Sequence, residues 1–442
     1  MSENAAPTRA RQTLWSRAAA VAAATPESRN RYVDFLRAVS IGAVITGHWM
    51  VGVLYLVDGR PTVSSLLEFE PWSRWLTWVF QVMPIFFLVG GYSNGVSWKS
   101  ATRSGKTYGE WLSSRLQRLV GPVLPLLILW AIAGAVAGQF GVPAEMIGTG
   151  SQVALIPIWF LAVYVMVVVL VPATYAAWRR FGLASFVLLA LLAVADDALF
   201  FAAGIRSIGW LNYAFIWVAV HQLGYAWRDG YFEGPRKALG WALVGAVLLA
   251  GMVALGPYPV SMVSVPGEEV SNTLPPKLPM LAIGLVQTGL LLSIEAPLRR
   301  WLRRPTPWTW TVLVNGMIMT VFLWHLTASS LVIGLSLLVG GVGLTLPPGT
   351  GVWWAARPVW LITYAVALIP FALVFGRFER GGRGRPIMAW RPVLGAALVC
   401  AGLALLALDG IAGGGWFGLR VWVLALPFVG AVVAGVGVRS KE

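Results

Sequence analysis

The sequence predicts an all-α membrane protein, a polytopic bundle of about 12 transmembrane helices with both termini in the cytoplasm. Three observations predict it. Apolar stretches of about 20 residues, the length that crosses a bilayer, recur from Val33 to Val438. Only 12% of the residues are charged against 58% hydrophobic, which excludes a soluble globular fold. The basic residues that give the net charge of +15 fall in short clusters between apolar runs rather than on a continuous patch, so they report topology and not nucleic-acid binding.

Hydropathy places spans near 33–57, 75–97, 119–139, 152–175, 183–202, 209–227, 238–256, 278–296, 309–339, 352–375, 391–409 and 416–437. The ninth is long enough to tilt or break. The Gly/Pro-rich stretches 257–279 and 340–351 read as loops. If the spans alternate, the clusters Arg29/Arg31, Lys99 to Arg118, Arg179/Arg180, Arg228 to Lys237, Arg299 to Arg304, Arg377 to Arg385 and Arg439/Lys441 all fall on one side. The opposite loops keep only scattered cations such as Arg60, Arg206 and Lys277, so the positive-inside rule puts both ends in the cytoplasm.

Residues 1–31 are polar and lack a long apolar core, and read as a flexible cytoplasmic tail without a cleavable signal peptide. Cys400 is the single cysteine, so neither an intramolecular disulfide nor a cysteine metal site is available, and no metal is expected. Arginine outnumbers lysine and Ala, Gly and Val abound, which suggests a GC-rich bacterial genome and a multi-pass protein of the inner membrane.

Ionisable side chains inside a membrane are costly and default to functional hypotheses. All three histidines, His48, His221 and His325, fall within predicted spans. In the first span Arg37 and His48 are eleven residues apart, which places them on one face and roughly 16 Å apart along a helix. Asp34 precedes Arg37 by one turn on the same stripe, which should face the bundle interior. Taken singly, Arg37 reads equally as a snorkelling boundary arginine paired with Asp34, and His48 as a packing or proton-relay residue. Arg115 and Arg118 read as ordinary positive-inside charge or as a fork for phosphate. Trp159 alone reads as an aromatic-belt residue, Asp196 and Asp197 as exposed interfacial acids, and His221 as core.

Tyr32-x-Asp34-x-Leu36-Arg37 followed by His48 resembles the opening of the acyltransferase-3 family of bacterial integral-membrane acyltransferases. Four further segments are similar to the family's motifs, in order: PIFFLVGGYSNG at 84–95, Arg115-x-x-Arg118, Trp159-Phe160-Leu161, and FLWHL at 322–326 with His325. Gly90 stands where the family usually has Ser, and Tyr164 where many members have Glu. The resemblance implies an acyltransferase domain over 32–378, after the tail 1–31 and before two additional helices in 379–442. It implies acetyl-CoA or another acyl-CoA as co-substrate, with no permanently bound cofactor, and a hydroxyl of an envelope glycan, glycolipid or small molecule as acceptor. His48 is then the expected general base or acyl carrier, with Arg37 and His325 as catalytic partners. Arg115 and Arg118 are expected to bind the donor, and Trp159 and Asp34 to bind substrate. A proton-coupled transporter or flippase is the alternative that twelve spans alone would allow.

Overall fold

The computed structural model describes residues 13–379 and 387–436. The basic residues Arg380, Arg383, Arg385, Arg439 and Lys441, and the first 12 residues of the tail, lie outside this range. The fold is an all-α polytopic bundle. Helices of ten or more residues are α1 Leu14–Ala23, α2 Arg31–Val51, α3 Met83–Arg103, α4 Tyr108–Val120, α5 Val123–Gln139, α6 Ala144–Leu155, α7 Ile158–Phe181 and α8 Leu183–Ala202. Then follow α9 Asn212–Arg228, α10 Pro235–Leu255, α11 Leu278–Ser293, α12 Pro305–Asn315, α13 Ile318–Leu338, α14 Gly351–Phe375, α15 Trp390–Asp409 and α16 Val421–Val433.

A helix lies over each expected span, but the described helices include seven that are long and apolar enough to cross a membrane alone, or up to nine when two bent pairs each count as one. The shortfall has physical reasons. Helix α2 carries Asp34, Arg37 and His48, α9 has only 17 residues, and α16 has 13. Helix α9 is buried on every side from Ile216 to Trp227, as expected of a helix apolar all round that is surrounded by other helices. By contrast α10 turns Leu243 and Val247 outward at 66% and 63% exposure, the face a lipid-contacting helix presents.

Two boundaries differ from the sequence reading, at the first and fourth spans, and the ninth span breaks as its length allows. The first span ends at Val51, and Gly52–Val57 (β1) pairs antiparallel with Arg60–Ser65 (β2) across a tight Asp58-Gly59 turn. Both turn residues have positive φ, 49° and 74°, the conformation that matches hairpin twist, so an apolar run that continues the hydropathy of α2 is spent on a strand. The ninth span is broken between Asn315 and Ile318 into α12 and α13, and the fourth is divided at Pro157 into α6 and α7. The tail is not wholly flexible: α1 lies on α12, with Trp15 and Trp310 in edge-to-face contact at 5.0 Å and the Trp308 indole donating to Thr25 at 3.1 Å.

Two ends of the bundle are distinct. At one, Asn30 and Trp227 both donate to Glu295, and Asn315 donates to the Asp34 carbonyl at 2.9 Å. This end also carries the arginines of α3, α4 and α9. At the other end the loop 256–277 forms a roof. Asp196 and Asp197, expected as exposed acids, are each only 2% exposed. The Asp197 carboxylate accepts from the Asn212 amide at 3.0 Å, the Tyr258 hydroxyl at 2.9 Å and the Leu278 N–H at 2.9 Å, and faces the fully buried Lys277 ammonium at 3.6 Å. Burial and the adjacent carboxylate hold the Tyr258 phenol above its ordinary pKa, so it stays a donor.

Helices α3 and α9 make the closest approach in the core. A Cβ on Gly91 would sit 1.8 Å from the His221 carbonyl oxygen, and one on Gly224 2.2 Å from the Leu88 carbonyl oxygen. Only glycine lets these backbones meet, as small residues do in membrane helix pairs.

Candidate active site

Helix α2 brings His48 to the end of the bundle away from the arginines, and α13 brings His325 to the same level. Their rings are coplanar within 2°, and Nδ1 of His48 lies 2.8 Å from Nε2 of His325. On the far side of His325, Nδ1 lies 2.6 Å from the Phe322 carbonyl oxygen. A carbonyl only accepts, so this Nδ1 carries a proton, and Nε2 of a neutral His325 is then a lone pair. Nδ1 of His48 must therefore donate, which leaves Nε2 of His48 with a free lone pair and no protein partner among the described residues. The Trp49 indole donates to the His325 carbonyl at 3.0 Å and fixes α2 against α13 at this level.

His48 lines an apolar cavity of about 860 Å³ together with Trp159, Phe160, Tyr213 and Phe322. The Trp159 ring leans edge-on against Tyr213 at 6.2 Å, and its indole N–H makes no protein hydrogen bond among the described residues, so it is a free donor at the cavity wall. Trp159 thus lines the same cavity as His48, with His325 behind His48. The cavity wall therefore carries a base, backed by a partner that can share its proton, and an unengaged donor, the components of proton abstraction from a hydroxyl.

Arg37 and Asp34 lie elsewhere. Asp34 is 5% exposed and accepts from Arg29 at 2.7 and 3.0 Å and from Arg37 at 3.3 Å, so its carboxylate is committed to arginines at the basic end and does not line the His48 cavity. Arg37 also donates to Ser93 on α3 at 3.2 Å. Arg115 and Arg118 line a second, polar cavity of about 260 Å³ with Lys106, Ser97, Ser100 and Ser114. Arg115 stacks over Trp111 at 5.8 Å and lies within electrostatic reach of Arg118, Arg37 and Tyr164. Glu110 also lines this cavity, its carboxylate accepting from the Thr107 N–H and hydroxyl; neither Arg115 nor Arg118 makes an ion pair with a described carboxylate, which leaves their guanidinium groups available to an anion.

The motif segment 84–95 contains Ser93 and Asn94, and further serines that no motif singles out follow it into the second cavity. Ser93, Ser97 and Ser100 stand on α3 at helical spacing and Ser104 caps its C-terminus, a polar stripe in an apolar helix that covers about 16 Å. Asn94 beside it donates to His221 at 3.2 Å and reaches Tyr164 at 3.4 Å, so His221 is core as expected and also part of this polar wall. The two departures from the motifs compensate each other: a Cβ on Gly90 would lie 2.7 Å from the Tyr164 ring, so the tyrosine occupies the room that the small residue leaves.

A bent, apolar helix bundle with a paired imidazole at its cavity wall defines the class as a polytopic membrane protein with a candidate acid–base site. The chain belongs to the acyltransferase-3 family: residues 30–377 match the family's model, described as an acyltransferase domain, and the protein is an acyltransferase. No curated protein and no solved structure matches it. The match decides for an enzyme over a carrier, and it ends before α15 and α16.

Proposed function

We propose that the protein is an O-acyltransferase of the bacterial inner membrane, moving an acyl group, expected to be acetyl, from cytoplasmic acyl-CoA to a hydroxyl of an envelope glycan or glycolipid. The observation that carries this reading is the free Nε2 lone pair of His48 on the cavity wall, set by the His325 and Phe322 hydrogen bonds behind it. The phosphates of coenzyme A enter the Arg115/Arg118 cavity, and the pantetheine arm runs along the serine stripe of α3, whose hydroxyls replace water for its amides. Its thioester then reaches His48.

Nε2 of His48 takes the proton of the acceptor hydroxyl as the oxygen attacks the thioester carbonyl, forming the new C–O bond. The positive charge is shared with His325 through the 2.8 Å bond, and the Trp159 indole N–H, on the wall of the same cavity, donates to the developing oxyanion. When the C–S bond breaks, His48 returns the proton to the thiolate. Arg37 joins the arginine field that draws the donor in.

Purified protein in nanodiscs given acetyl-CoA and an envelope extract should release free thiol and label the acceptor; vesicle transport without thioester use would defeat this reading. Replacing Arg115 and Arg118 together with Ala should raise the donor KM by roughly tenfold or more while the folded yield holds, since each charge-assisted contact contributes about 1.5–3 kcal/mol. An unchanged KM with lost protein would instead mark them as topological charges. A reporter fused after Glu442 should read cytoplasmic, and a periplasmic signal would remove one of the twelve proposed spans.

A further inference from the structure

The cavity that holds His48 extends well beyond the space needed for a hydroxyl and a thioester. It runs between α7 and α15, walled by Val163, Met166 and Leu170 on one side and Ala397, Cys400 and Ala404 on the other. On α15 the lining extends from Val393 to Leu408, about 22 Å along the axis. Its residues recur at helical spacing and are mostly alanine, so the missing side-chain volume is the groove itself. Leu170, Val393 and Leu408 at its rim are 37%, 36% and 40% exposed on the outside of the bundle, so the groove opens sideways where the surrounding medium is hydrocarbon.

Polarity along the groove is one-directional. Gln81, Gln152, Ser264 and Thr273 line the end beside the roof, where Gln152 donates to the Leu408 carbonyl and Gln81 to that of Met262. Towards the arginine end the lining is wholly apolar, through Val163 and Met166 to Leu170 and Val393. We infer that this groove holds the hydrocarbon chain of a lipid acceptor, taken laterally from the leaflet on the roof side, with its polar head at the glutamine end beside His48. This rests on the acyl-transfer reading above and adds the acceptor's class to it.

Length and direction single out this occupant. One leaflet's hydrocarbon is about 15 Å deep, half of a core of about 30 Å, so a full lipid chain fits within the groove. A bilayer lipid on the roof side already points its head to the roof and its tail to the midplane. An acyl chain carried by the donor would arrive from the arginine end and have to fold back on itself at His48. Helix α15 lies beyond the residues matched by the family, so this wall belongs to the chain's own C-terminal addition.

The test uses the full chain in nanodiscs of phosphatidylethanolamine and phosphatidylglycerol containing a small fraction of phosphatidylglycerol with a diazirine in its acyl chain. Photolabelling mapped by mass spectrometry should concentrate on Val163, Met166 and the 397–404 segment, several-fold above Leu243 and Val247 on the lipid-facing side of α10. Filling the groove by Ala404→Trp or, more gently, Ala397→Leu should lower groove labelling at least fivefold and leave the α10 labelling unchanged. Labelling of the groove no stronger than of α10, or unaffected by both substitutions, overturns the proposal, and the wild-type map decides even where a variant fails to fold. Displacement of the label by palmitoyl-CoA but not by acetyl-CoA would assign the chain to the donor and overturn it too. Thioester consumption measured on the same samples separates the two readings. An unlabelled groove with His48-dependent turnover removes only the lipid slot, and a labelled groove with turnover surviving His48→Ala removes only the transfer chemistry.

Discussion

His48→Ala is expected to lower acyl transfer by about 10²- to 10⁴-fold, the usual contribution of a positioned general base, with the protein still inserted and folded. Alanine carries no helix-propensity cost, and the change removes a polar group from an apolar wall. His48→Gln keeps a hydrogen bond to His325 but has no basic nitrogen, so it should be nearly as inactive, which separates proton transfer from shape. His325→Gln should fall between wild type and these variants, because the amide can still accept from Nδ1 of His48 but cannot share the proton. The measurement is free-thiol release from acetyl-CoA together with labelled acceptor; full acceptor labelling by His48→Ala protein would refute the mechanism.

Gly91→Ala is expected to damage assembly rather than chemistry. The added methyl would stand 1.8 Å from the His221 carbonyl oxygen, an atom of the backbone that no rotamer change can move. Helices α3 and α9 would have to separate, and overpacking of this kind costs about 1–3 kcal/mol or more. The thermal midpoint in detergent and the monodisperse yield should both fall sharply. Gly42→Ala on α2 is the matched control, since a Cβ there meets nothing within 4 Å and alanine is the better helix former. Equal midpoints for the two variants would show that the close crossing is not required.

How much was legible in the sequence follows from what each inference depends on. His48 and His325 lie 277 residues apart, yet both could be assigned one depth, because helical rise is regular and needs only a count from the start of each span. That their rings lie in one plane depends on how α2 and α13 are rotated, which packing sets and a count does not. The hairpin after Val51 was announced by Asp58-Gly59, a strong turn signal that the hydropathy of GVLYLV masked. Asp197 reads as a surface acid because its partners Asn212, Tyr258 and Lys277 come from other segments, and a buried acid cannot be told from an exposed one without them. The groove along α15 was illegible for another reason: a helix with lipid on one face and a hydrocarbon slot on the other is apolar all round, so its sequence carries no amphipathic contrast to read.

The roof over the site is tied down at several points: Asp197 holds Tyr258 and Lys277, Trp78 and Gln81 donate to the Val260 and Met262 carbonyls, and Thr77 accepts from the Met262 N–H. Because these ties come from separate stretches of chain, removing one bond leaves the others in place and the loop 256–277 stays latched. A latch of this kind makes a poor doorway, since each passage would require several buried polar groups to be unpaired together. A latched roof leaves the flanks and floor as the open approaches, which is what the proposed routes require: one reactant in the plane of the membrane and the other along its normal.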